Sequence, residues 1–217
     1  MKFFQLEGTP REDVGKKAAK SIRKENAIPA VLYGATPVSL PYNTPLSKGE
    51  KIVEIGDNKG IVVTNLTVTN DAVRDLIYTP EVFLVDLSLK NSKHVKVLVK
   101  DIQFQPVTGA ILHIDFVEIF DNRPIVIDVP VTLQGHSEGV KAGGKLSLEM
   151  RKLKVKGLYN DIPEKLVIDI SDLGLGKTIQ VNSLQFDKLE LVNAGNAVVC
   201  AVKLTRAARG AAAASGK

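Results

Sequence analysis

The sequence predicts a mainly β protein built from barrel or sandwich domains, and three observations support this prediction. Short apolar runs with the spacing of strands recur along the chain, turns rich in Gly, Asn, Asp and Pro separate them, and only two stretches have helical spacing. Many short strands joined by such turns are typical of these all-β architectures. The predicted strands lie at 2–6, 61–68, 82–89, 95–102, 111–119, 125–133, 152–156, 166–170 and 196–204.

The clearest strand is 125–133, where inward apolar residues alternate with a second set of side chains. A period of two over this length is typical of a strand with one buried face and one wetter face. Pro130 falls in the outward set and has no backbone N–H to donate, which favours an edge position. Turns are expected at 57–60, 143–144 and 193–195.

Two stretches have apolar residues at helical spacing and are predicted to be helices of about three turns. The first is 16–26, which ends before Pro29. The second is 70–79, which ends at Pro80 and starts with Asn70 and Asp71 as candidate N-caps.

Composition excludes several classes of protein. The chain has 217 residues, of which 44% are hydrophobic and 24% charged, so it can bury a core and is not disordered as a whole. Cys200 is the single cysteine, which excludes a disulfide scaffold and fits a reducing compartment. The sequence contains neither an apolar run of the roughly 20 residues that span a bilayer nor a signal-peptide core. We therefore expect a cytoplasmic protein.

A domain boundary is expected near 121–124, where Asp-Asn-Arg-Pro separates two β-rich halves. The expected division is a first domain at 1–121, a second at 124–205, and an Ala-rich tail at 206–217 that we expect to be disordered. The net charge is +5, and residues 1–24 alone hold seven basic and three acidic side chains. Positive charge is therefore concentrated at the start of the chain.

The first predicted helix has a nearly all-positive face. At about 100° per residue its cations fall within an arc of roughly 120°, opposite a small apolar stripe. One interpretation is a solvated helix surface, which is the usual meaning of a charge run. The other is a site for a polyanion, because a solvating face normally interleaves acidic with basic residues. The cations are Lys16, Lys17, Lys20, Arg23 and Lys24.

The strand at 111–119 carries a second candidate site. His113 and Asp115 are two residues apart and should share one face, with Leu112, Ile114 and Phe116 on the other. A surface hydrogen-bond pair is one interpretation. Recognition of base edges or 2′-hydroxyls in the wide minor groove of RNA is the alternative.

Catalytic, metal and cofactor sites are not supported by the sequence. The chain has three histidines without a ligand cluster, and Cys200 lies in an apolar run that predicts a core position. The Gly-Lys-Thr at 176–178 lacks the other glycine of a phosphate-binding loop and predicts a turn between strands. We expect no enzymatic activity and no cofactor.

Several sequence blocks are specific enough to indicate a family. The most specific are Ile-Pro-Ala-Val-Leu-Tyr-Gly at 28–34 and Leu-His-Ile-Asp-Phe at 112–116, about 80 residues apart. These blocks resemble the family of the bacterial large-subunit ribosomal protein numbered twenty-five, also called general stress protein CTC. Asp-Ile-Gln-Phe-Gln-Pro-Val at 101–107 supports the match. The blocks at 138–146 and 162–171 resemble the C-terminal β-domain of the longer members, so the resemblance covers about residues 4–205.

This resemblance implies an N-terminal six-stranded β-barrel with short helices, followed by a second all-β domain. It implies that the barrel binds the loop E region of 5S rRNA, that large-subunit proteins are further partners, and that the protein is a monomer off the ribosome. In this reading the basic residues neutralise phosphates, while Tyr33 and the His-x-Asp pair contact the minor groove. The residues carried over as RNA contacts are Arg11, Lys16, Lys20, Arg23, Tyr33, His113 and Asp115.

The chain departs from the family pattern at three places. Ser21 stands where many members have a basic residue, and Gln105 stands where His is frequent. About 20–25 extra residues follow Gly34, within 35–60, as a loop or hairpin. Two other functions stay open: a stress-induced accessory protein whose C-terminal domain binds protein partners, and a small hydrolase, which lacks a nucleophile paired with a base.

Overall fold

The computed structural model describes residues 2–39, 45–56, 59–79, 81–89 and 93–205. These residues fold as two compact units, Met1–Arg123 and Pro124–Lys217. The first unit contains β1 (Lys2–Pro10), α1 (Lys16–Lys24), β2 (Ala27–Ser39), β3 (Glu50–Gly56), β4 (Lys59–Thr69), α2 (Asn70–Tyr78), β5 (Phe83–Leu89), β6 (Lys93–Phe104) and β7 (Ile111–Glu118). The mainly β fold predicted from the sequence is confirmed.

Six strands of the first unit close into a barrel. They follow one another in the order β1-β5-β6-β7-β2-β4, and β4 pairs back onto β1 with Thr67 opposite Thr9. The β1–β5 and β2–β7 pairs are parallel, and the others are antiparallel. The expected six-stranded barrel is therefore confirmed.

The barrel interior is filled by alternate residues of its strands. Leu6, Leu66, Val85 and Phe116 are each almost completely shielded from solvent and belong to one apolar cluster. Because side chains alternate across a strand, burying Ile114 and Phe116 of β7 leaves the residues between and before them on the outer face. The core thus determines which side chains the barrel displays.

The two helices form where the sequence predicts them, with nine residues each rather than the three turns expected. The N-cap assignment was wrong: Thr69 is the N-cap of α2, and it makes no side-chain cap hydrogen bond. The side chains of Asn70 and Asp71 instead engage Asn26, at 3.1 and 3.2 Å. Contact with the turn after α1 therefore replaces local capping.

One strand of the first unit, β2, was not expected from the sequence, whereas β3 forms the hairpin that was one of the two alternatives for 35–60. β2 extends from Ala27 to Ser39, with a register shift against β4 between Tyr33 and Pro37. β3 pairs with β4 outside the barrel wall, so part of the extra segment after Gly34 forms a hairpin strand. Residues 57–58 of the turn expected at 57–60 lie outside the described part of the chain.

The second unit contains two small sheets. Its elements are β8 (Ile125–Gln134), α3 (Glu138–Lys141), β9 (Lys145–Leu148), β10 (Lys152–Gly157), β11 (Leu166–Asp169), β12 (Thr178–Gln180), a 3₁₀ turn (Val181–Ser183), β13 (Glu190–Leu191) and β14 (Val198–Lys203). The strand orders are β11-β8-β10-β13 and β12-β14-β9. The expected second β domain is confirmed, and α3 was not expected.

The edge position expected from Pro130 was wrong, because β8 lies between β10 and β11. β10 pairs with residues up to Pro130, whereas β11 pairs only from Val131 onwards. Pro130 is therefore the last residue of β8 that pairs with β10, and the pairing of β8 with β11 begins at the next residue. At this position a missing N–H costs no ladder hydrogen bond.

Two further expectations for the second unit hold. Cys200 is fully buried among apolar residues, and this burial raises the pKa of its thiol. The Gly-Lys-Thr at 176–178 forms a turn in which Gly176 has a φ of 74°, and Thr178 begins β12. The tail at 206–217, expected to be disordered, lies outside the described residues.

The assignment of the core predicts that replacing a buried valine by alanine destabilises the protein more than the same replacement at an exposed valine. Val85 is fully buried in the barrel, whereas Val107 is 91% exposed. We expect Val85→Ala to lower the free energy of unfolding by about 2 kcal/mol and Val107→Ala by less than about 0.5 kcal/mol. Urea unfolding, followed through the amide NMR signals of barrel residues, measures both values. Equal losses would contradict the assignment of the core.

Candidate nucleic-acid interface

Helix α1 displays a row of cations on the barrel surface. The helix packs against β2 through Ala18, Ala19 and Ile22, which are half-buried, and none of its residues is fully buried. Lys16, Lys20 and Arg23 lie within an arc of about 60° on the exposed side, and Lys17 and Lys24 widen the arc to about 120°. The positive face predicted from the sequence is therefore present.

Arg23 ties this helix to strand β7. Its Nε and one terminal nitrogen, Nη2, both donate to the carbonyl oxygen of Leu112, at 3.1 and 2.9 Å. Leu112 immediately precedes His113 on β7. The contact places the Arg23 end of the cationic row beside the strand that carries the His-x-Asp pair.

His113 and Asp115 occupy the outer face of β7, as predicted. Their side chains are 23% and 20% exposed, and His113 Nδ1 lies 3.0 Å from Asp115 Oδ1. The neighbouring strand β6 places Gln103 opposite His113 and Asp101 opposite Asp115. The pair is thus held on a wall of the barrel and is neither in the core nor fully in solvent.

Electrostatic effects link Tyr33 and Arg11 to the same surface. Partial burial and then the negative charge of Asp115 raise the pKa of Tyr33 above its ordinary value. Partial burial and then the positive charge of Arg23 lower the pKa of Arg11. Tyr33 lies on β2 two residues beyond Val31, which pairs with Asp115, and the Arg11 guanidinium is within electrostatic range of Arg23.

The backbone around Arg11 is held by β4 and by the turn before β3. The amide of Arg11 donates to the carbonyl of Asn65 at 2.9 Å, and the amide of Asn65 donates to Gly49 at 2.9 Å. Gly49 has a φ of 81°, and a Cβ there would lie 2.8 Å from the carbonyl oxygen of Arg11. Only glycine fits this turn, and the sequence analysis did not identify its role.

Two buried polar atoms of this surface have no hydrogen-bond partner within the described part of the chain. They are Arg11 Nε and Asp115 Oδ1. His113 comes close to the second atom, but its approach lacks the geometry of a hydrogen bond. Such orphaned atoms are rare in folded proteins because they forfeit hydration without compensation. A ligand with both donors and acceptors would satisfy them.

We call the whole surface the α1–β7 patch. Its members are Arg11, Lys16, Lys20, Arg23, Tyr33, His113 and Asp115. Contacts and electrostatic effects connect five of these seven residues, and Lys16 and Lys20 belong to it through the helical row that they share with Arg23.

Among the residues that the structure describes, no group of His, Cys, Asp and Glu side chains could hold a metal ion. No helix in the described part of the chain combines the length and the apolar character that crossing a membrane requires.

Comparison with protein families finds two matches that together cover most of the chain. Residues 6–116 match the ribosomal L25p family. Residues 124–206 match the C-terminal domain of ribosomal protein TL5. The first match contains all residues of the α1–β7 patch.

Comparison with individual proteins finds close relatives over the full length. The chain is 60% identical over 212 residues to large ribosomal subunit protein bL25 of Porphyromonas gingivalis, covering 98% of each chain. It is 56% identical to the protein of that name from Parabacteroides distasonis, covering 97% of this chain and 98% of the relative. For Phocaeicola vulgatus the identity is 52%, with both chains fully covered.

The contact between Arg23 and Leu112 predicts a measurable effect on α1. Arg23→Lys keeps the charge but cannot direct two forked donors to one carbonyl oxygen. We expect amide hydrogen exchange in α1 to accelerate about fivefold, the equivalent of roughly 1 kcal/mol. Lys24→Arg, on the same helix, is the matched control and should leave exchange unchanged. Unaltered exchange in Arg23→Lys would mean that this contact does not hold the helix.

Proposed function

The chain belongs to the ribosomal L25p family, and on this basis we propose that it binds 5S rRNA through the α1–β7 patch. It is a structural protein of the large ribosomal subunit, and the family is non-enzymatic. The proposal concerns the RNA partner and the residues that contact it. The bacterial cytoplasm, where ribosomes work, is the proposed location.

The observation that carries the proposal is the convergence of unlike groups on one surface. Arg23 anchors the end of a row of cations to β7, which displays an imidazole 3.0 Å from a carboxylate, and the phenol of Tyr33 on the neighbouring strand β2 is within electrostatic range of that carboxylate. A merely solvated helix needs no such neighbours. RNA presents both phosphates and hydrogen-bonding groups along its minor groove, so it matches both parts of the patch.

The cationic row supplies the phosphate contacts in this proposal. Lys16, Lys20 and Arg23 are spaced by about one helical turn, and none of the three has an acidic partner in the described part of the chain. Repulsion among them is relieved when a polyanion binds and its condensed counterions are released. These contacts orient the barrel on the RNA without reading its sequence.

The outer face of β7 supplies the groove contacts. A largely buried carboxylate beside a polyanion is unfavourable unless it accepts hydrogen bonds, and Asp115 Oδ1 has no hydrogen-bond partner among the residues that the structure describes. The 2′-hydroxyls and base amino groups in the minor groove are suitable donors. Arg11 Nε, a donor that likewise has no partner within the described residues, would be satisfied by an RNA acceptor.

In this proposal the domain at 1–121 binds the RNA, and its target is the loop E region of 5S rRNA. The domain at 124–205 then remains available for other components of the large subunit. This assignment requires that both the cationic row and the β7 face contribute to affinity, but in different ways.

Charge reversal in the helix tests the phosphate contacts. We expect Lys20→Glu to weaken binding to a 5S rRNA transcript by about tenfold or more and to lower the slope of log K against log salt by about one. Filter binding at several salt concentrations measures both. Lys152→Glu, an exposed position on β10 of the second unit, is the matched control and should change neither. The helix would be excluded as the docking surface if Lys20→Glu behaved like this control.

Neutralising Asp115 tests the groove contacts through the sign of its effect. If the carboxylate only faces the polyanion, Asp115→Asn removes repulsion and strengthens RNA binding. If it accepts hydrogen bonds from the RNA, as proposed, affinity falls about tenfold and the salt slope stays unchanged. The same titrations with 5S rRNA distinguish the two outcomes, and stronger binding would refute the proposed role.

A further inference from the structure

A groove beside the α1–β7 patch has the chemistry of a second RNA contact. It has a volume of about 650 Å³ and lies between the end of α1, the exposed side of α2 and the turn that joins β6 to β7. This volume is within the range of roughly 300–1,000 Å³ that is typical of small-molecule sites. We call it the α1–α2 groove.

The groove carries positive charge that no lining carboxylate offsets. Arg23 and Arg74 both line it, and among the described residues none that lines its walls is acidic. Helix α2 also carries Asp71, which accepts a hydrogen bond from Asn26 at 3.2 Å, and Asp75, and neither of these carboxylates lines the groove. Arg74 is exposed and has no ion pair in the described part of the chain.

An aromatic ring stands at the rim of the groove. Tyr78 lies one helical turn after Arg74, so the two side chains share one face of α2, opposite the buried Val73 and Leu76. Tyr78 is 63% exposed. A guanidinium and an exposed ring on the same side of a helix can hold a phosphate and a stacked base respectively.

The floor of the groove is held rigidly. Asn26 has a φ of 57°, and its carbonyl accepts from the amide of Asn70 at 3.0 Å while their side chains bond at 3.1 Å. The opposite wall is a closed turn in which the amide of Gln105 donates to Ala110 at 2.8 Å. The site is therefore largely formed before any ligand enters.

We infer that the α1–α2 groove binds an unpaired nucleotide of the RNA that the α1–β7 patch holds, with Arg74 on its phosphate and Tyr78 stacked on its base. This inference rests on the proposed function. Arg23 connects the two surfaces, since it lines the groove and belongs to the patch. Two guanidinium groups, polar amides and an exposed ring suit a nucleotide, whereas a protein segment would need an apolar pocket for its anchor side chains.

Binding of a 5S rRNA transcript by the full-length chain tests this inference. We expect Tyr78→Leu to weaken binding about tenfold and Tyr78→Phe to leave it within about twofold, because stacking needs the ring and not the hydroxyl. Arg74→Gln should weaken binding about fivefold and lower the salt slope by about one. Lys59→Gln removes one cation at the other end of β4, about 33 Å along the strand from α2, and is the matched control.

A second readout identifies the nucleotide. Bases of the transcript are probed with dimethyl sulfate for A and C and with a carbodiimide for G and U. The wild-type chain and Tyr78→Phe should protect one unpaired base that Tyr78→Leu leaves reactive. Thermal unfolding midpoints equal to that of the wild type show that the variants are folded.

The outcomes separate this inference from the proposed function. If the wild-type chain does not bind the transcript, the proposed function fails. If it binds, and Lys20→Glu weakens binding while Tyr78→Leu and Arg74→Gln do not, only the groove inference is overturned. If the groove variants bind RNA normally but fail to co-sediment with large subunits, the groove contacts a ribosomal protein instead, which also overturns the inference.

Discussion

Closure of the barrel by the pairing of β1 with β4 is the constraint on which the rest of the first unit depends. Once the sheet has closed, every strand must send alternate residues to a single interior, and a shift by one residue would move the apolar set outside. Filling that interior with Ile114 and Phe116 obliges β7 to display His113 and Asp115. The surface that we propose for RNA is thus a consequence of how the core is packed.

The α1–β7 patch is incompletely satisfied, and this is informative about its function. A carboxylate oxygen and a guanidinium nitrogen are buried without hydrogen-bond partners in the described part of the chain, and the charge of one arginine lowers the pKa of another. Each feature costs stability in the isolated protein. A bound polyanion that also offers hydroxyl and amino groups would remove all of these costs together, which a neutral or purely apolar partner would not do.

Local patterns in the sequence predicted much of this fold but not its long-range contacts. Period two identified β7 and its outward pair, and helical spacing identified α1 and its cations. β2 was missed because Pro29, Gly34 and Pro37 resemble turn residues, although pairing with both β4 and β7 keeps the segment extended. The bond from Arg23 to Leu112 crosses 89 residues of chain, and no local pattern encodes such a distance.

The shared position of Arg23 determines how the two RNA surfaces can be distinguished. Two of its nitrogens hold the Leu112 carbonyl, and the same side chain lines the groove and stands in the cationic row. Removing it would release the helix, reshape the groove and delete a charge together, so its effect could not be divided among these roles. Lys20 and Arg74 each belong to one surface only. Their separate contributions should therefore add if the surfaces act independently, and a departure from additivity would measure the coupling that passes through Arg23.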